Sequence, residues 1–338
     1  MLAAVLTAGR PSLEIQEVPD PTPRSHDLVL KVDACGICGS DLHLAQKYKT
    51  QYPGVVFGHE FCGEVVALGA EAEGYRVGDR VIGFPLAGCR QCAACLSGDV
   101  AKCATMTLNG IQRPGGYAEY VTVGAPEAFR VPETLTPEVG ALVEPLAVAL
   151  HALDRTPRAA GEPVLVLGAG PVGCAVALWA RALGAGEVVV SDPMAGRRRL
   201  AESLGAATID PLHEDVAEQF AKITGSAPRV VIECAGAPGL IQHAAEVADI
   251  DGHVTVVGVC LQPDTFTPAL AVQKELSYQF VVYYRRRDFA RTIARLAAGR
   301  LSADQLVTDR IGLADLPQRF ESLMEPNEDC KVLVRPHH

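Results

Sequence analysis

The stretch that decides the fold is Val164-Leu165-Val166-Leu167-Gly168-Ala169-Gly170-Pro171-Val172-Gly173. Its four apolar residues predict a strand buried on both faces, and a helix-like stretch follows at 172–183. Gly168 permits a tight turn, Gly170 lets the backbone approach a pyrophosphate, and Gly173 allows close helix–strand packing. The helix N-terminus at Pro171 and Val172 then faces the phosphates with its positive dipole end. The stretch therefore predicts a Rossmann-type dinucleotide site.

An acidic residue stands where such a site needs one, at the end of the next strand. Asp192 closes the apolar run 187–191, about 20 residues beyond the glycines. A carboxylate there accepts hydrogen bonds from the ribose hydroxyls and repels a 2′-phosphate, which favours NAD. The basic run Arg197-Arg198-Arg199 attracts phosphate, so NADP stays as the less favoured cofactor.

The alternation of strand-like and helix-like segments around this motif divides the chain into domains. Strand-like runs recur at 229–233 and 252–257 between helix-like segments, which predicts a doubly wound parallel sheet over 148–282. Residues 1–147 alternate short strands with glycine and proline, as in an irregular β-barrel. Residues 283–338 contain a helix-like and a strand-like segment that we expect to pack back on the first domain. The predicted fold class is α/β plus β.

Four cysteines cluster on one short loop as C-x2-C-x2-C-x7-C, within a lobe at 87–104; they are Cys89, Cys92, Cys95 and Cys103. Four thiolates match a closed tetrahedral zinc site without an open coordination position, so the predicted role is structural. An iron–sulfur cluster also uses four cysteines, but the seven-residue gap and the single occurrence favour zinc.

A second group of potential metal ligands is scattered along the chain. Cys38, His59, Glu60 and Glu144 supply one thiolate, one imidazole and two carboxylates, a plausible zinc set. Catalysis needs an open coordination position, which four simultaneous ligands would close. We therefore predict that Cys38 and His59 bind the metal permanently. Of Glu60 and Glu144, one binds directly while the other contacts a metal-bound water or exchanges with it.

The composition sets limits on partners and compartment. The 338 residues are 49% hydrophobic and carry a net charge of −10, which argues against nucleic acid as a main partner. The sequence contains no long apolar run and no signal-peptide pattern, so we expect a cytoplasmic protein without a membrane partner. In a reducing compartment the eleven cysteines favour metal binding over disulfides.

These motifs, in this order, resemble the zinc-containing medium-chain dehydrogenases over essentially the whole chain. The resemblance rests on Gly58-His59-Glu60, the four-cysteine loop, the stretch 115–120, Glu144-Pro145 and the GxGxxG. The glutamates at 60 and 144 are most similar to the polyol, threonine and butanediol dehydrogenase branch. The resemblance implies a GroES-like catalytic domain interrupted by a Rossmann domain, and a homodimer or homotetramer.

The resemblance also implies roles for particular residues. Ser40 and His43 resemble the family's proton-relay positions, and Arg197 resembles a basic residue beside the adenosine ribose. Val257, Gly258 and Val259 resemble the segment that borders the nicotinamide. The stretch Tyr283-Tyr284-Arg285-Arg286-Arg287 departs from the family pattern, and its charge leaves an anionic substrate open.

The expected function is hydride transfer between a secondary alcohol or polyol and NAD, with one catalytic and one structural zinc per subunit. Two alternatives remain at this point. One is an NADPH-dependent, zinc-independent quinone or enoyl reductase of the same superfamily, and the other is a non-catalytic dinucleotide-binding protein. The complete ligand sets favour the zinc dehydrogenase.

Overall fold

The structure is a computed structural model and describes residues 1–48 and 54–338. The first part of the chain is built mainly of short strands around glycine and proline turns. Its strands are β1 (Leu2–Leu6), β2 (Leu13–Glu17), β3 (Asp27–Gly36), β4 (Glu60–Leu68), β5 (Arg80–Gly83), β6 (Leu86–Ala87), β7 (Thr107–Leu108), β8 (Tyr120–Gly124) and β9 (Ala128–Arg130). Its helices are α1 (Gly39–Tyr48), α2 (Ala93–Leu96) and α3 (Pro137–Ala141), with 3-10 turns at Val100–Lys102 and Ala125–Glu127.

The middle part alternates strands and helices. Its helices are α4 (Val143–Asp154), α5 (Pro171–Ala182), α6 (Ala195–Ser203), α7 (Val216–Thr224), α8 (Leu240–Val247) and α9 (Pro268–Gln273). Its strands are β10 (Val164–Leu167), β11 (Val188–Ser191), β12 (Ala207–Ile209), β13 (Val230–Glu233), β14 (His253–Val256) and β15 (Ser277–Phe280). The last part adds α10 (Arg286–Ala297), a 3-10 turn at Asp304–Leu306, β16 (Val307–Gly312), α11 (Leu316–Ser322) and β17 (Lys331–Arg335).

The middle strands form one parallel sheet in the order β12-β11-β10-β13-β14-β15. Every residue of β10, β11 and β13 is buried, because helices cover both faces of the sheet. The strand order reverses between β10 and β13, which places a crevice at their carboxyl ends. The predicted α/β part of the fold class is thus confirmed.

A second, mixed sheet of seven strands has the order β16-β17-β3-β4-β5-β9, with β8 paired to β3. Strand β17 lies antiparallel to β3 although about 300 residues of chain separate them. Leu28, Leu30 and Val32 lie on one face of β3 and belong to one apolar core. This barrel-like β part confirms the second half of the predicted fold class.

Helix α4 connects the two parts and crosses the sequence boundary placed at 147. Nine of its residues are buried, and it packs on α5 of the parallel-sheet part and on α10 of the last part. One continuous core cluster contains residues of α3, α4, α5 and α10. Side chains on the first turn of α4 therefore lie where the β part meets the parallel sheet.

Candidate active site

The glycine motif forms the expected turn at the carboxyl end of β10. Gly168 has a φ of +100°, and a Cβ there would lie 2.9 Å from the Cβ of Ala235. Gly170 is the N-cap of α5 and Pro171 its first helical residue, while Val172 lies in the same turn. A Cβ at Gly170 would meet nothing within 4 Å, so the backbone faces open space at the helix N-terminus. This cradle fits a dinucleotide pyrophosphate.

Asp192 connects the glycine loop to the end of β11. Its Oδ2 accepts a hydrogen bond of 2.8 Å from the Ala169 N–H, and its Oδ1 accepts one of 2.8 Å from the Met194 N–H. The residue is 4% exposed. The carboxylate therefore stands at the predicted ribose position, already held by two backbone donors.

Two arginines of the basic run pair with carboxylates. Arg198 lies 2.7 Å from Asp210, and Arg199 lies 3.4 Å from Glu328. Glu328 also accepts a hydrogen bond of 2.9 Å from the Gly196 N–H, in the first turn of α6. A carboxylate from the last part of the chain thus already satisfies the helix N-terminus beside Asp192.

Arg197 is the member of the run without a carboxylate partner among the described residues. Its Nη2 donates to the Asn327 side chain at 3.4 Å, and its Nε is buried without a hydrogen-bond partner in residues 1–48 and 54–338. The Arg197 guanidinium therefore has N–H groups that could donate to a ligand near the ribose position.

The predicted nicotinamide segment follows β14. The N–H groups of Val257 and Gly258 donate to the Glu233 carbonyl at 2.8 and 3.0 Å, and Val259 comes next with 49% exposure. A Cβ at Gly258 would collide with the Gly236 backbone. The ends of β13 and β14 therefore pack closely and border the crevice.

The four cysteines of the loop converge on one point. Their sulfur atoms all lie within 4.8 Å of one another, and the Cys89 and Cys95 sulfurs are 3.9 Å apart. A zinc ion about 2.3 Å from each sulfur requires sulfur separations of about 3.8 Å. Backbone N–H donation from Cys89 lowers the pKa of the Cys103 thiol to about 6, which favours the thiolate. The donor set fits a closed zinc site.

The arginine run at 285–287 faces protein groups. Arg285 Nε lies 3.3 Å from Asp99 of the four-cysteine lobe, and the Arg286 N–H donates to the Gly98 carbonyl at 3.1 Å. The Arg286 guanidinium stacks 4.3 Å from the ring centre of Phe129. Arg285 and Arg286 therefore both contact protein groups. These contacts explain the two residues without a bound substrate.

Three of the four predicted catalytic-metal ligands come together. Cys38 stands just ahead of α1, His59 just ahead of β4, and Glu60 begins β4. One donor atom of each lies within 4.8 Å of the other two. A thiolate, an imidazole and a carboxylate at such separations fit zinc.

Asp41, on α1, lies beside the His59 ring. Its Oδ1 lies 3.3 Å from His59 Nδ1, and its Oδ2 accepts a 2.7 Å hydrogen bond from the Tyr117 hydroxyl. Neither Asp41 Oδ1 nor His59 Nδ1 meets a described group in hydrogen-bonding geometry, so the contact is an ion pair. A carboxylate beside one ring nitrogen favours the other nitrogen as a metal ligand. Burial opposes charge on the imidazole, but Asp41 and Cys38 outweigh it and raise the pKa of His59 well above its usual range. The same anions stabilise a metal cation.

Lys331 holds the carboxylate of Glu60. Its Nζ donates to both Glu60 oxygens at 2.6 and 2.7 Å and to the Ile37 carbonyl at 3.0 Å. Both side chains are buried. Burial alone lowers the pKa of Lys331, but Glu60 outweighs burial and raises it above its ordinary value. Glu60 therefore faces a buried ammonium group on one side and the donor atoms of Cys38 and His59 on the other.

Glu144 approaches from the first turn of α4 and lies outside the compact donor set of the described residues. Burial raises the pKa of Glu144, His59 opposes this and the nearby Glu60 adds to it, so that the pKa lies at about 7. The Tyr284 hydroxyl is buried beside Glu144 but meets no described group in hydrogen-bonding geometry.

The two predicted relay residues lie on α1, three positions apart. The Ser40 hydroxyl donates to the Cys38 sulfur at 3.2 Å, which places it at the metal position. His43 is half-buried, and burial lowers its pKa, so the imidazole is neutral at pH 7 and able to accept a proton. Residues three apart share one helix face, so Ser40 and His43 point to the same side.

Asp41, Lys331 and Tyr284 lie beside the candidate ligands, and sequence reasoning assigned them no role. Asp41 has a local signal, because it stands between Ser40 and His43 and an acidic partner is usual for a ligating histidine. Lys331 and Tyr284 have none, since each reaches the site from a segment more than 130 residues away along the chain.

Two family models match the chain. The alcohol dehydrogenase GroES-like domain matches residues 24–133, and the zinc-binding dehydrogenase domain matches residues 171–298. No helix within residues 1–48 and 54–338 is long and apolar enough to span a membrane.

Named relatives cover nearly the whole chain. An (R,R)-butanediol dehydrogenase of Bacillus subtilis (strain 168) is 33% identical, with 96% of this chain and 97% of the relative covered. A sorbitol dehydrogenase of the same organism is 31% identical over 100% of this chain and 98% of its own length. A structure from Sinorhizobium meliloti 1021, described as a zinc-binding dehydrogenase bound to NADP, superposes with a TM-score of 0.90 at 36% identity over 99% of both chains. The chain therefore belongs to the zinc-binding dehydrogenases, in the medium-chain polyol, threonine and butanediol branch.

Proposed function

We propose that the protein oxidises a secondary alcohol or polyol to the ketone and transfers the hydride to NAD. The observation that carries the proposal is the set formed by Cys38, His59 and Glu60, which lies at the junction between the β part and the parallel sheet. Two relatives are named for butanediol and sorbitol, which are alcohols with more than one hydroxyl, so such alcohols are the first candidates.

In this proposal Cys38 and His59 hold a catalytic zinc permanently, and Glu60 and Glu144 exchange as the third protein ligand. Lys331 supports the exchange, because its ammonium group stabilises the Glu60 carboxylate whenever that group leaves the metal. Cys89, Cys92, Cys95 and Cys103 hold the structural zinc. We place the catalytic domain at 1–147 and 283–338 and the cofactor domain at 148–282.

Each protein group has a chemical task. Bound zinc supplies a Lewis acid that lowers the pKa of a hydroxyl, and NAD accepts the hydride. Ser40, at the metal position, accepts the hydroxyl proton, and neutral His43 passes it toward solvent. Asp41 keeps the His59 ring oriented, and the buried tyrosine at 284 excludes water from the pocket.

We propose NAD as the preferred cofactor. In this proposal the buried Asp192 carboxylate accepts hydrogen bonds from the ribose hydroxyls, and a 2′-phosphate beside it would meet like charge. Glu328 already accepts a hydrogen bond from the Gly196 N–H at the start of α6 and pairs with Arg199. Arg197 is left to contact the adenosine ribose, while Val257, Gly258 and Val259 border the nicotinamide. Because the Sinorhizobium meliloti structure contains NADP, both cofactors belong in the test.

A panel of secondary alcohols, vicinal diols, sugar alcohols and their phosphates tests the function, read as the absorbance of the reduced cofactor. We expect turnover with a kcat/KM for NAD at least about tenfold above that for NADP, equivalent to ~1.4 kcal/mol. Metal analysis of the same sample should give two zinc ions per subunit. Activity that survives chelation, with NADPH-linked reduction of quinones, would support the zinc-independent reductase instead.

We propose a homodimer formed through β15, or a homotetramer built from two such dimers. Strand β15 is an edge of the parallel sheet in the described part of the chain, and Phe280 and Val282 beside it are 60% and 61% exposed. An apolar, unpaired edge favours pairing with another copy. We expect light scattering to give at least twice the subunit mass for the wild type and the subunit mass for Phe280→Arg. Identical masses would exclude this interface.

We also propose that the protein works in the cytoplasm. Two zinc sites that use five cysteine sulfurs need these thiols reduced, and the cytoplasm keeps them so. The measurement is the zinc content of the protein purified from the cytoplasmic fraction.

A further inference from the structure

A short turn at Cys234, Ala235 and Gly236, the 234–236 turn, follows β13 at the carboxyl end of the parallel sheet. Ligands in such sheets bind at this end, and β13 lies beside β10, where the strand order reverses. The Cys234 N–H donates to the Leu167 carbonyl at 2.9 Å, so the turn begins against the last residue of β10. The turn therefore lies next to the glycine loop.

The 234–236 turn packs on both halves of the cofactor site. On one side, a Cβ at Gly168 would lie 2.9 Å from the Ala235 Cβ. On the other side, a Cβ at Gly258 would lie 2.2 Å from the Gly236 nitrogen, and a Cβ at Gly236 would lie 2.6 Å from the Val259 nitrogen. Each approach is as close as glycine permits. The turn thus sets the distance between the glycine loop and the segment that we assign to the nicotinamide.

The Glu233 carboxylate holds this turn in place. Its Oε1 accepts hydrogen bonds of 2.7 Å from the N–H groups of Ala235 and Gly236. Gly236 has a φ of +65°, in the left-handed region that glycine adopts freely, and the second bond supports this conformation. The Oε2 faces Gly258, since a Cβ there would lie 2.6 Å from it. One oxygen therefore holds the turn while the other faces the nicotinamide segment.

Glu233 is a buried acid that depends on backbone donors. It is 2% exposed, and its hydrogen-bond partners in the described part of the chain are N–H groups rather than a lysine or an arginine. Burial raises the pKa of Glu233, while the Gly236 and Ala235 N–H groups lower it. Because a buried carboxylate is costly unless it is hydrogen-bonded, the turn and the carboxylate stabilise each other.

The two halves of the cofactor site depend on Glu233 to different extents. The glycine loop has a second support, because the Asp192 Oδ2 accepts a hydrogen bond of 2.8 Å from the Ala169 N–H. The nicotinamide segment packs on the 234–236 turn through Gly258, and Val259 beyond it is 49% exposed. Loss of the carboxylate should therefore displace the nicotinamide segment more than the pyrophosphate cradle.

We propose that Glu233 is a positioning residue for the cofactor, whose carboxylate holds the 234–236 turn at the spacing that lets one NAD molecule contact both the glycine loop and the nicotinamide segment. The inference rests on the proposed function and assigns a role to a residue outside the metal pocket. Its consequence is that Glu233 matters for a ligand that spans both halves of the site and much less for one that lacks the nicotinamide.

The test compares NADH with ADP-ribose, which lacks the nicotinamide, by isothermal titration calorimetry of the zinc-loaded protein. In Glu233→Leu we expect the Kd for NADH to rise about tenfold or more, as for loss of a hydrogen bond to a charged group, while the Kd for ADP-ribose stays within about threefold. Glu233→Gln keeps an acceptor oxygen for the two N–H groups, so both Kd values should stay within about threefold of the wild type.

Glu162→Ala is the matched control. The Glu162 Oε2 accepts a hydrogen bond of 2.7 Å from the Ala159 N–H just ahead of β10, at the opposite end of the parallel sheet. This variant also removes a carboxylate that holds a backbone turn in the cofactor domain, and it should leave both Kd values unchanged.

Gly236→Ala tests the same spacing with the carboxylate intact, because the added Cβ pushes on Val259. We expect the same selective loss of NADH affinity, so the inference can be tested even if Glu233→Leu does not fold. Equal weakening of both ligands in these variants, or of neither, would overturn the inference while the proposed function stands. A Glu233→Gln protein as weak for NADH as Glu233→Leu would show that the charge acts on the ligand directly, and would overturn the positioning role. A wild type that binds neither NADH nor ADP-ribose would overturn the proposed function as well.

Discussion

Replacing His59 with Ala is expected to lower kcat for alcohol oxidation by about 10³-fold or more and to reduce the zinc content from two ions per subunit to one. The variant removes one of two permanent ligands, so the metal's stabilisation of the transition state, worth several kcal/mol, is lost. A loss of ~4 kcal/mol corresponds to about 10³-fold in rate. The four-cysteine loop keeps its zinc, because its ligands belong to a separate lobe. Steady-state kinetics and metal analysis of one preparation check both outcomes.

A surface histidine provides the matched control. His213 is 77% exposed and pairs with Asp210 far from the metal pocket, so His213→Ala should retain two zinc ions and normal turnover. If His59→Ala retains full activity, His59 is not a ligand of the catalytic metal. If it loses both zinc ions, the two sites are coupled in folding, contrary to the separate lobe seen here.

Replacing Lys331 with Ala is expected to destabilise the protein by about 3–5 kcal/mol, because it leaves the Glu60 carboxylate buried without its counter-charge. The lysine is 1% exposed and donates to both carboxylate oxygens, so water cannot replace the lost ammonium without opening the core. Turnover should also fall, since Glu60 loses the group that stabilises it away from the metal. Urea unfolding and kcat at saturating substrate measure the two effects.

A double variant separates lost charge pairing from lost packing. Lys331→Ala with Glu60→Gln leaves neither charge unpaired, so it should recover a large share of the stability that Lys331→Ala loses. Recovered stability without recovered turnover would identify Glu60 as part of the catalytic machinery. A Lys331→Ala protein as stable as the wild type would show that the pair contributes nothing.

The parts of the site that lie on short stretches of chain were accessible to sequence reasoning. The glycine motif occupies one strand–turn–helix, and the run predicted as a strand at 164–167 is β10. The helix expected at 172–183 is observed as Pro171–Ala182. The four cysteines lie within fifteen positions, and their sulfurs converge because a short loop has few ways to separate them.

Interactions between distant segments were not accessible in the same way. The sequence offered Glu60 and Glu144 as equally good candidates for the remaining metal ligand. The structure distinguishes them, because Glu60 belongs to the compact donor set and Glu144 lies outside it. The arginines at 285 and 286 left an anionic substrate open, yet both contact protein groups in the folded chain. Such outcomes depend on which elements pack together, and no local pattern encodes that.

The sequence by itself determined the cofactor-binding fold, the four-cysteine loop and the residue types around a second metal, because each follows from backbone periodicity or from the spacing of neighbours. Only the tertiary structure decided which groups contact those residues and in which direction their pKa values shift. Asp41 lies beside His59, Lys331 pairs with Glu60 although 271 positions separate them, and Tyr284 lies beside Glu144 although it follows the last strand of the parallel sheet. Burial is the physical reason, since pairing and pKa depend on which charges share a low-dielectric pocket, and only the folded chain brings them into one.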